Sequence, residues 1–327
     1  MKIVAAIIGM GIGQKHLEAI ENYKNSKVKV ICEKNKQKIK KLKTKYPNKI
    51  VTSNENDIFF DKQVNLVSIA SYDQFHYDQI LKCFKHKKHM IIEKPLCLNS
   101  NQLKKIYFLS KKNKDIKITS NLVLRTNSLF KNFKKKISKK KIFYIEGDYI
   151  WGRKEKLFGW RSKIKEYSIT LGAGIHIIDL INWLTGLKPI SVYAVGNNKI
   201  TKGTSFKKNS LITMIFNFPC NILVKVSANG AAIYNHYHEI KIFLENQTLV
   251  NSRMGSYVLT KNKISKVKAD YPDKKNRKKL IQNFINTINT KNIKPLISLK
   301  EQIDLMTICF AVDKSVKLNK KIKINYL

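Results

Sequence analysis

Short, almost wholly apolar runs alternate with helically spaced stretches through the first 120 residues. The runs KIVAAII, VKVICE, LVSIAS, HMIIE and IKITS have few polar interruptions, which predicts strands buried on both faces of a sheet. Between them, KHLEAIENY, KQKIKKLKTKY, YDQILKCFK and NQLKKIYFLSKK repeat apolar residues at helical spacing. Strand–helix alternation of this kind predicts a parallel, doubly wound sheet. Beyond residue 121 the texture changes. One helical piece, LFKNFKKKI, leads into IFYIEGDYI, ISVYAVGN, LITMIFNF, NILVKVSAN and HEIKIFLE. Consecutive strands of this length predict a large, mostly antiparallel open sheet with one face covered. Helical spacing returns near 274–290 and 299–319. The expected class is α/β plus α+β, with domains over 1–120 and 121–327 and no internal repeat.

Composition narrows the class without assigning a function. A chain of 327 residues, 43% hydrophobic and 26% charged, reads as a soluble globular protein. No apolar stretch approaches the roughly 20 residues that span a bilayer, so no membrane partner is expected. The opening MKIVAAIIGMG lacks a small-residue cleavage site and reads as a first strand, not a signal peptide. The formal net charge is +42, yet the lysines are spread along the whole chain and only five arginines accompany them. Lys, Asn and Ile are abundant together, as an AT-rich genome would produce. A dedicated nucleic-acid surface would gather its basic residues and favour arginine, so no specific nucleic acid is expected. The scattered Cys32, Cys83, Cys97, Cys220 and Cys309 form no C-x-x-C pair. They read as small buried hydrophobes in a reducing, cytoplasmic setting, without a structural metal or disulfide framework.

The first candidate chemistry follows the first strand. In GMGIGQKHL, Gly9, Gly11 and Gly13 flank Ile12 in a G-x-G-x-G pattern, and Gln14 stands where a dinucleotide fingerprint carries its third glycine. Such glycines let backbone N–H groups approach a pyrophosphate at a helix N-terminus. Glu33 closes the second strand, placed to accept the adenosine ribose hydroxyls and to repel a 2′-phosphate, which favours NAD over NADP. A second signal is MIIEKPL, where Pro95 restricts the backbone at Lys94 directly after a buried strand. A third is LGAGIHIIDLINWLTG: Ile177, Leu180, Ile181 and Leu184 define a buried helix face, and His176 and Asp179 lie three apart on one side.

These three motifs, with VSIASYDQFHYDQI between the first two, resemble the Gfo/Idh/MocA family of NAD(P)-dependent sugar and polyol oxidoreductases over nearly the whole chain. The resemblance implies a Rossmann-type first domain and a second domain for substrate binding and oligomerisation. It implies that Lys94 lies beside the nicotinamide and the substrate hydroxyl, and that His176 exchanges the hydroxyl proton while hydride moves to or from NAD. Ser71, Tyr72, Asp73, His76 and Glu93 would line the cofactor side. Asn121, Arg125, Arg161 and Asp179 would join His176 around a sugar, sugar acid or nucleotide sugar. The amine of Lys94 and the imidazole of His176 would meet across one pocket, and chains would pair through the second sheet as a homodimer or homotetramer. No metal is implied.

One departure stands out. Where the commoner family pattern has an aspartate four residues before the histidine, this chain has Gly172. A redox-neutral, NAD-retaining epimerase or glycosidase of the same fold therefore stays open, as does a non-catalytic NAD-sensing regulator. Arginine scarcity adds a hint, since Arg125, Arg153 and Arg161 all precede His176. A planar, bidentate fork suits a substrate carboxylate or phosphate, although surface placement by chance would look the same. His236 and His238 face one side of a strand and are read as sheet-face residues; His16 is read as structural.

Overall fold

The computed structural model describes residues 2–137, 141–269, 271–272, 275–290 and 292–327. They divide into two compact units, 1–123 with 274–303 and 124–273 with 304–327.

The first unit alternates β1 (Ile3–Ile8), α1 (Gly13–Glu21), β2 (Ser26–Cys32), α2 (Lys36–Lys45), β3 (Ile50–Thr52), α3 (Asn56–Phe59), β4 (Leu66–Ile69), α4 (His76–Lys85), β5 (His89–Ile92), α5 (Ser100–Lys112) and β6 (Ile118–Ser120). The strands pair in parallel in the order β3-β2-β1-β4-β5-β6. All six residues of β1 are buried, as a strand covered on both faces requires. In α1 the buried residues include Gly13, His16, Leu17 and Ile20, a stripe along one side of a helix. The order reverses between β1 and β4, which places the ligand crevice of such a sheet at their carboxyl ends. Late in the chain Ile281, Phe284 and Ile285 return to this unit and join Ile3, Ile7, Leu17 and Ile20 in one core.

The second unit opens with a 3₁₀ turn at Val123–Thr126 and α6 (Ser128–Lys136). It continues through β7 (Ile142–Ile150), α7 (Glu155–Phe158), α8 (Ile175–Thr185), β8 (Ser191–Asn197), β9 (Leu211–Asn217), β10 (Leu223–Asn229), β11 (Tyr237–Leu244), β12 (Thr248–Ser252), β13 (Gly255–Thr260) and β14 (Lys263–Lys266). After α9 (Asn276–Asn289), α10 (Leu299–Leu318) and β15 (Ile322–Lys323) close the chain. The strands form a nine-stranded sheet, β14-β13-β12-β11-β7-β10-β9-β8-β15, antiparallel except for the parallel pair β7 and β10. Helix α8 lies against one face. A Cβ built on Gly147 of β7 would come within 2.5 Å of the Ile177 side chain, so the missing side chain lets the helix approach. The opposite face carries Lys225–Asp148 (3.1 Å) and Lys241–Glu146 (3.4 Å) pairs, beside partly exposed Tyr193, Val195, Ile215 and Leu223.

Both sheets have the class expected from the runs. The helix expected near 274–290 is seen over Asn276–Asn289, and its first expected position lies outside the described residues. The short strands β3, β12, β13, β14 and β15 were not visible in the pattern, because each holds too few apolar residues to set a period. One expectation is corrected. Cys32, Cys83, Cys97 and Cys309 are buried, but Cys220 is exposed, since it sits at φ +61° in the Pro219–Asn221 turn between β9 and β10. Among the described residues no helix is long and apolar enough to cross a membrane.

Candidate functional site

The glycine loop resolves the problem of the absent third glycine. Gly9 has φ +87°, and a Cβ there would lie 2.6 Å from the Ala70 carbonyl oxygen. Any other residue would strain the turn and collide with β4's end. Around Gly11 nothing lies within 4 Å of a Cβ position, which leaves room for a phosphate to reach the backbone. Gly13 meets the Ile7 side chain at 2.8 Å. The packing role that G-x-G-x-x-G gives its last glycine therefore falls here on residue 13, and Gln14 need not be small. Ile12 is the partly exposed residue that precedes α1. Glu33 reaches this loop from the end of β2. Its carboxylate accepts from the backbone N–H groups of Met10 (3.1 Å), Lys34 (2.9 Å) and Asn35 (3.1 Å). A negative charge is thus fixed beside the loop, and the residues fit a dinucleotide whose ribose hydroxyls approach Glu33.

Glu93, at the end of β5, is the hub of a second cluster in the same unit. His16 Nε2 lies 3.0 Å from its Oε1 while His16 Nδ1 pairs with the Ser68 hydroxyl at 2.8 Å. The Asn121 amide donates to the same carboxylate oxygen, and Arg277 of α9 stands 3.8 Å away. Burial alone would raise the Glu93 pKa, but the bond from His16, its charge, Arg277 and Asn121 hold it at about 2. An ionised carboxylate can only accept, which puts a proton on His16 Nε2. Lys94 follows directly, half-buried, with a cis bond to Pro95. The fully buried His76 faces two backbone carbonyls, of Pro95 (2.7 Å) and of Ser71 (3.2 Å), and so braces the loop that carries Lys94. The Ser71 hydroxyl turns to Gln79 of α4 (2.7 Å), while Tyr72 is half-exposed and Asp73 buried after β4.

The second unit holds another cluster. Along 171–181 every residue is buried except His176. Its ring stacks on Tyr149 with centroids 5.7 Å apart and planes 12° off parallel. Tyr149 stands opposite His238 in the β7–β11 register, and its ring also meets His238 (4.8 Å) and His236 (5.0 Å) edge-on. His238 hydrogen-bonds Tyr271 and is held neutral by burial first, then by His236 and Arg153. Among the described residues no three His, Cys, Asp or Glu side chains are arranged to hold a metal ion. Nearby in sequence, the Arg161 guanidinium stacks over Trp160 (4.1 Å) and Trp151 (5.2 Å).

The predicted residues therefore fall into separate groups. Gly9, Gly11, Gly13 and Glu33 come together, as do Glu93 and Asn121. Arg125 and Asp179 are joined to one another: Arg125 Nη2 lies 2.6 Å from Asp179 Oδ1, with both side chains buried. The residues that sequence reasoning undervalued are His16, Arg277, Tyr149, His236 and His238. Arginine scarcity could have singled out Arg277; the Tyr149–His238 pairing needed the strand register.

Residues 3–121 match the oxidoreductase family with an NAD-binding Rossmann fold, and residues 141–250 match the GFO/IDH/MocA C-terminal domain. The myo-inositol 2-dehydrogenase of Thermotoga maritima is 22% identical over 253 residues, 72% of this chain and 71% of that one. The scyllo-inositol dehydrogenase of Lactobacillus casei, solved with NAD(H) and scyllo-inositol, is similar at TM-score 0.82 and 18% identity, covering 99% of each chain. An oxidoreductase of Agrobacterium radiobacter, solved with NAD+, L-tartaric acid and magnesium, reaches TM-score 0.85 at 16% identity, again over 99% of each. With both halves matched in order, the chain belongs to the Gfo/Idh/MocA family of oxidoreductases, its first unit an NAD-binding Rossmann domain.

Proposed function

We propose that the protein is a dehydrogenase that uses NAD, in preference to NADP, to oxidise a secondary hydroxyl of a sugar, sugar acid or related polyol. The observation that carries this is His176, the one residue over 171–181 that is not buried, its ring held flat on Tyr149. An imidazole so fixed can take the hydroxyl proton, and a positioned acid–base group contributes about 10²–10⁴-fold in rate. Lys94 is the cation proposed to stabilise the charge that builds on the reacting oxygen. Its origin is set by the ionised Glu93 and by the His76 brace on Pro95. Bound NAD supplies the hydride acceptor. Glu33 selects against the 2′-phosphate of NADP by charge. The dehydrogenases from Thermotoga maritima and Lactobacillus casei named above support the polyol assignment by family likeness.

The test is purified protein with NAD and a panel of inositols, hexoses and sugar acids, followed by the absorbance of reduced nicotinamide. His176→Ala and Lys94→Ala should each lower kcat by about 10²-fold or more. Rates unchanged by both substitutions, or a preference for NADP, would refute the assignment. Substrate consumed without net reduced nicotinamide would replace it with a redox-neutral reaction. Two further parts belong to the proposal. The open face of the nine-stranded sheet pairs two copies, because Tyr193, Val195, Ile215 and Leu223 lie partly exposed among crossed ion pairs. The protein works in the cytoplasm, where its five free cysteines stay reduced.

A further inference from the structure

Each of the five arginines in this lysine-rich chain has an identifiable setting. Arg125 is held by Asp179 at 2.6 Å, Arg277 stands 3.8 Å from Glu93, and Arg253 stacks over Tyr234 at 4.4 Å. Arg153 and Arg161 differ. Both lie on the connection from β7 to α8, and among the described residues neither forms an ion pair with a carboxylate. Arg161 rests flat on Trp160 and Trp151 and spends one N–H on the Lys156 carbonyl (3.2 Å). A guanidinium has five N–H groups in a rigid plane, and the bond to Lys156 uses one of them. Burial raises the Tyr149 pKa, and Arg153 and Arg161 both oppose that rise. Arg153 also acts on the buried His238. The geometry runs through β7: Arg161 lies 5.2 Å over Trp151, two residues on from Tyr149, and His176 stacks on the Tyr149 ring.

We propose that Arg153 and Arg161 form an anion subsite beside His176, so that the substrate is a polyol bearing a carboxylate or a phosphate; this rests on the dehydrogenase reading above. A neutral polyol would leave both guanidinium groups without a counter-charge. A carboxylate or phosphate would take paired, charge-assisted hydrogen bonds from the Arg161 fork and screen Arg153. His176 then faces a hydroxyl a few bonds from the anchored anion, and the anchor sets which hydroxyl reacts.

The test is a titration of NAD-loaded protein with D-glucuronate, D-glucose 6-phosphate and D-glucose, read by tryptophan fluorescence, because Arg161 lies on Trp151 and Trp160. At least one of the two anions should bind about tenfold or more tightly than glucose, with an advantage that shrinks as salt rises. The two anionic arms separate a carboxylate site from a phosphate site. Arg153→Gln and Arg161→Gln should each remove most of that advantage. Should Arg161→Gln fail to fold for want of its stacking, the exposed Arg153 decides the matter alone. Equal affinity for glucose and both anions, no saturable response to either anion, or a preference untouched by Arg153→Gln would overturn the subsite. An anion that binds with this selectivity but is never oxidised would overturn the dehydrogenase reading and leave the subsite standing.

Discussion

Gly172 is surrounded by a tyrosine. A Cβ at this position would fall 1.9 Å from the Tyr167 hydroxyl oxygen and 2.6 Å from its Cζ. The ring is buried and wedged edge-on between Trp160 and Phe206, so it has no room to yield. The place where the family resemblance led to the expectation of an aspartate is filled here by an aromatic ring, and the two residues have to be understood as a pair. Gly172→Ala should cost about 1–3 kcal/mol through overpacking, read as a lower denaturant midpoint. Tyr167→Leu in the same chain should recover part of that loss; a Gly172→Ala variant as stable as the parent would contradict the geometry. Glu93 makes a different prediction. Its pKa falls from an ordinary 4.5 to about 2 on folding, so its contribution is full above pH 4.5 and lost as pH drops toward 2. That contribution is on the order of 3 kcal/mol. Glu93→Gln should flatten the acid limb of the stability curve over that window, measured by urea unfolding at stepped pH. At this scale Gly9 was legible because a turn at φ +87° demands one residue type. Arg277 was not, because it approaches Glu93 from a helix 184 residues later in the chain.

Helix α8 shows what an element decides that its residues do not. His176 and Asp179 were expected to serve one substrate because residues three apart share a side of a helix. Three residues turn the helix through about 300°, which leaves the two side chains roughly 60° apart. At the edge of a buried face, that difference is enough to open His176 while Asp179 is buried against Arg125. The pair ties the 3₁₀ turn at Val123–Thr126 to α8 within the second unit. Arg125→Met should strand a buried carboxylate and cost about 3–5 kcal/mol, whereas Arg125→Met with Asp179→Leu should recover most of it. Additive losses in that double-mutant cycle would show that the two residues do not act as a pair. Element type and order were readable from periodicity wherever a run was long. The brief strands β12 to β14 and the return of α9 to the first core were not readable, since short polar strands carry no period and a helix's apolar face does not name its partner.

The second unit's sheet leaves Tyr193, Val195, Ile215 and Leu223 partly exposed on one face. An apolar patch flanked by crossed Lys–Glu and Lys–Asp pairs can match a second copy of itself about a two-fold axis. Light scattering after size exclusion should give twice the chain mass of 37.9 kDa, or four times it. Ile215→Glu should shift the population to monomer; a monomeric parent at tens of micromolar would end the proposal. The net charge of +42 does not oppose pairing strongly at physiological salt, where charges beyond about 8 Å are screened.

By itself the chain determined the two sheet classes and the glycine loop of an NAD-binding first domain. Those depend on local period, turn chemistry and short motifs, which are written in neighbouring residues. Tertiary structure decided that Gly13 does the packing of an absent glycine, that Tyr167 fills the Gly172 site, and that Arg125 belongs to Asp179. Each of these outcomes depends on distances between residues far apart in sequence, and only strand register and helix rotation set such distances.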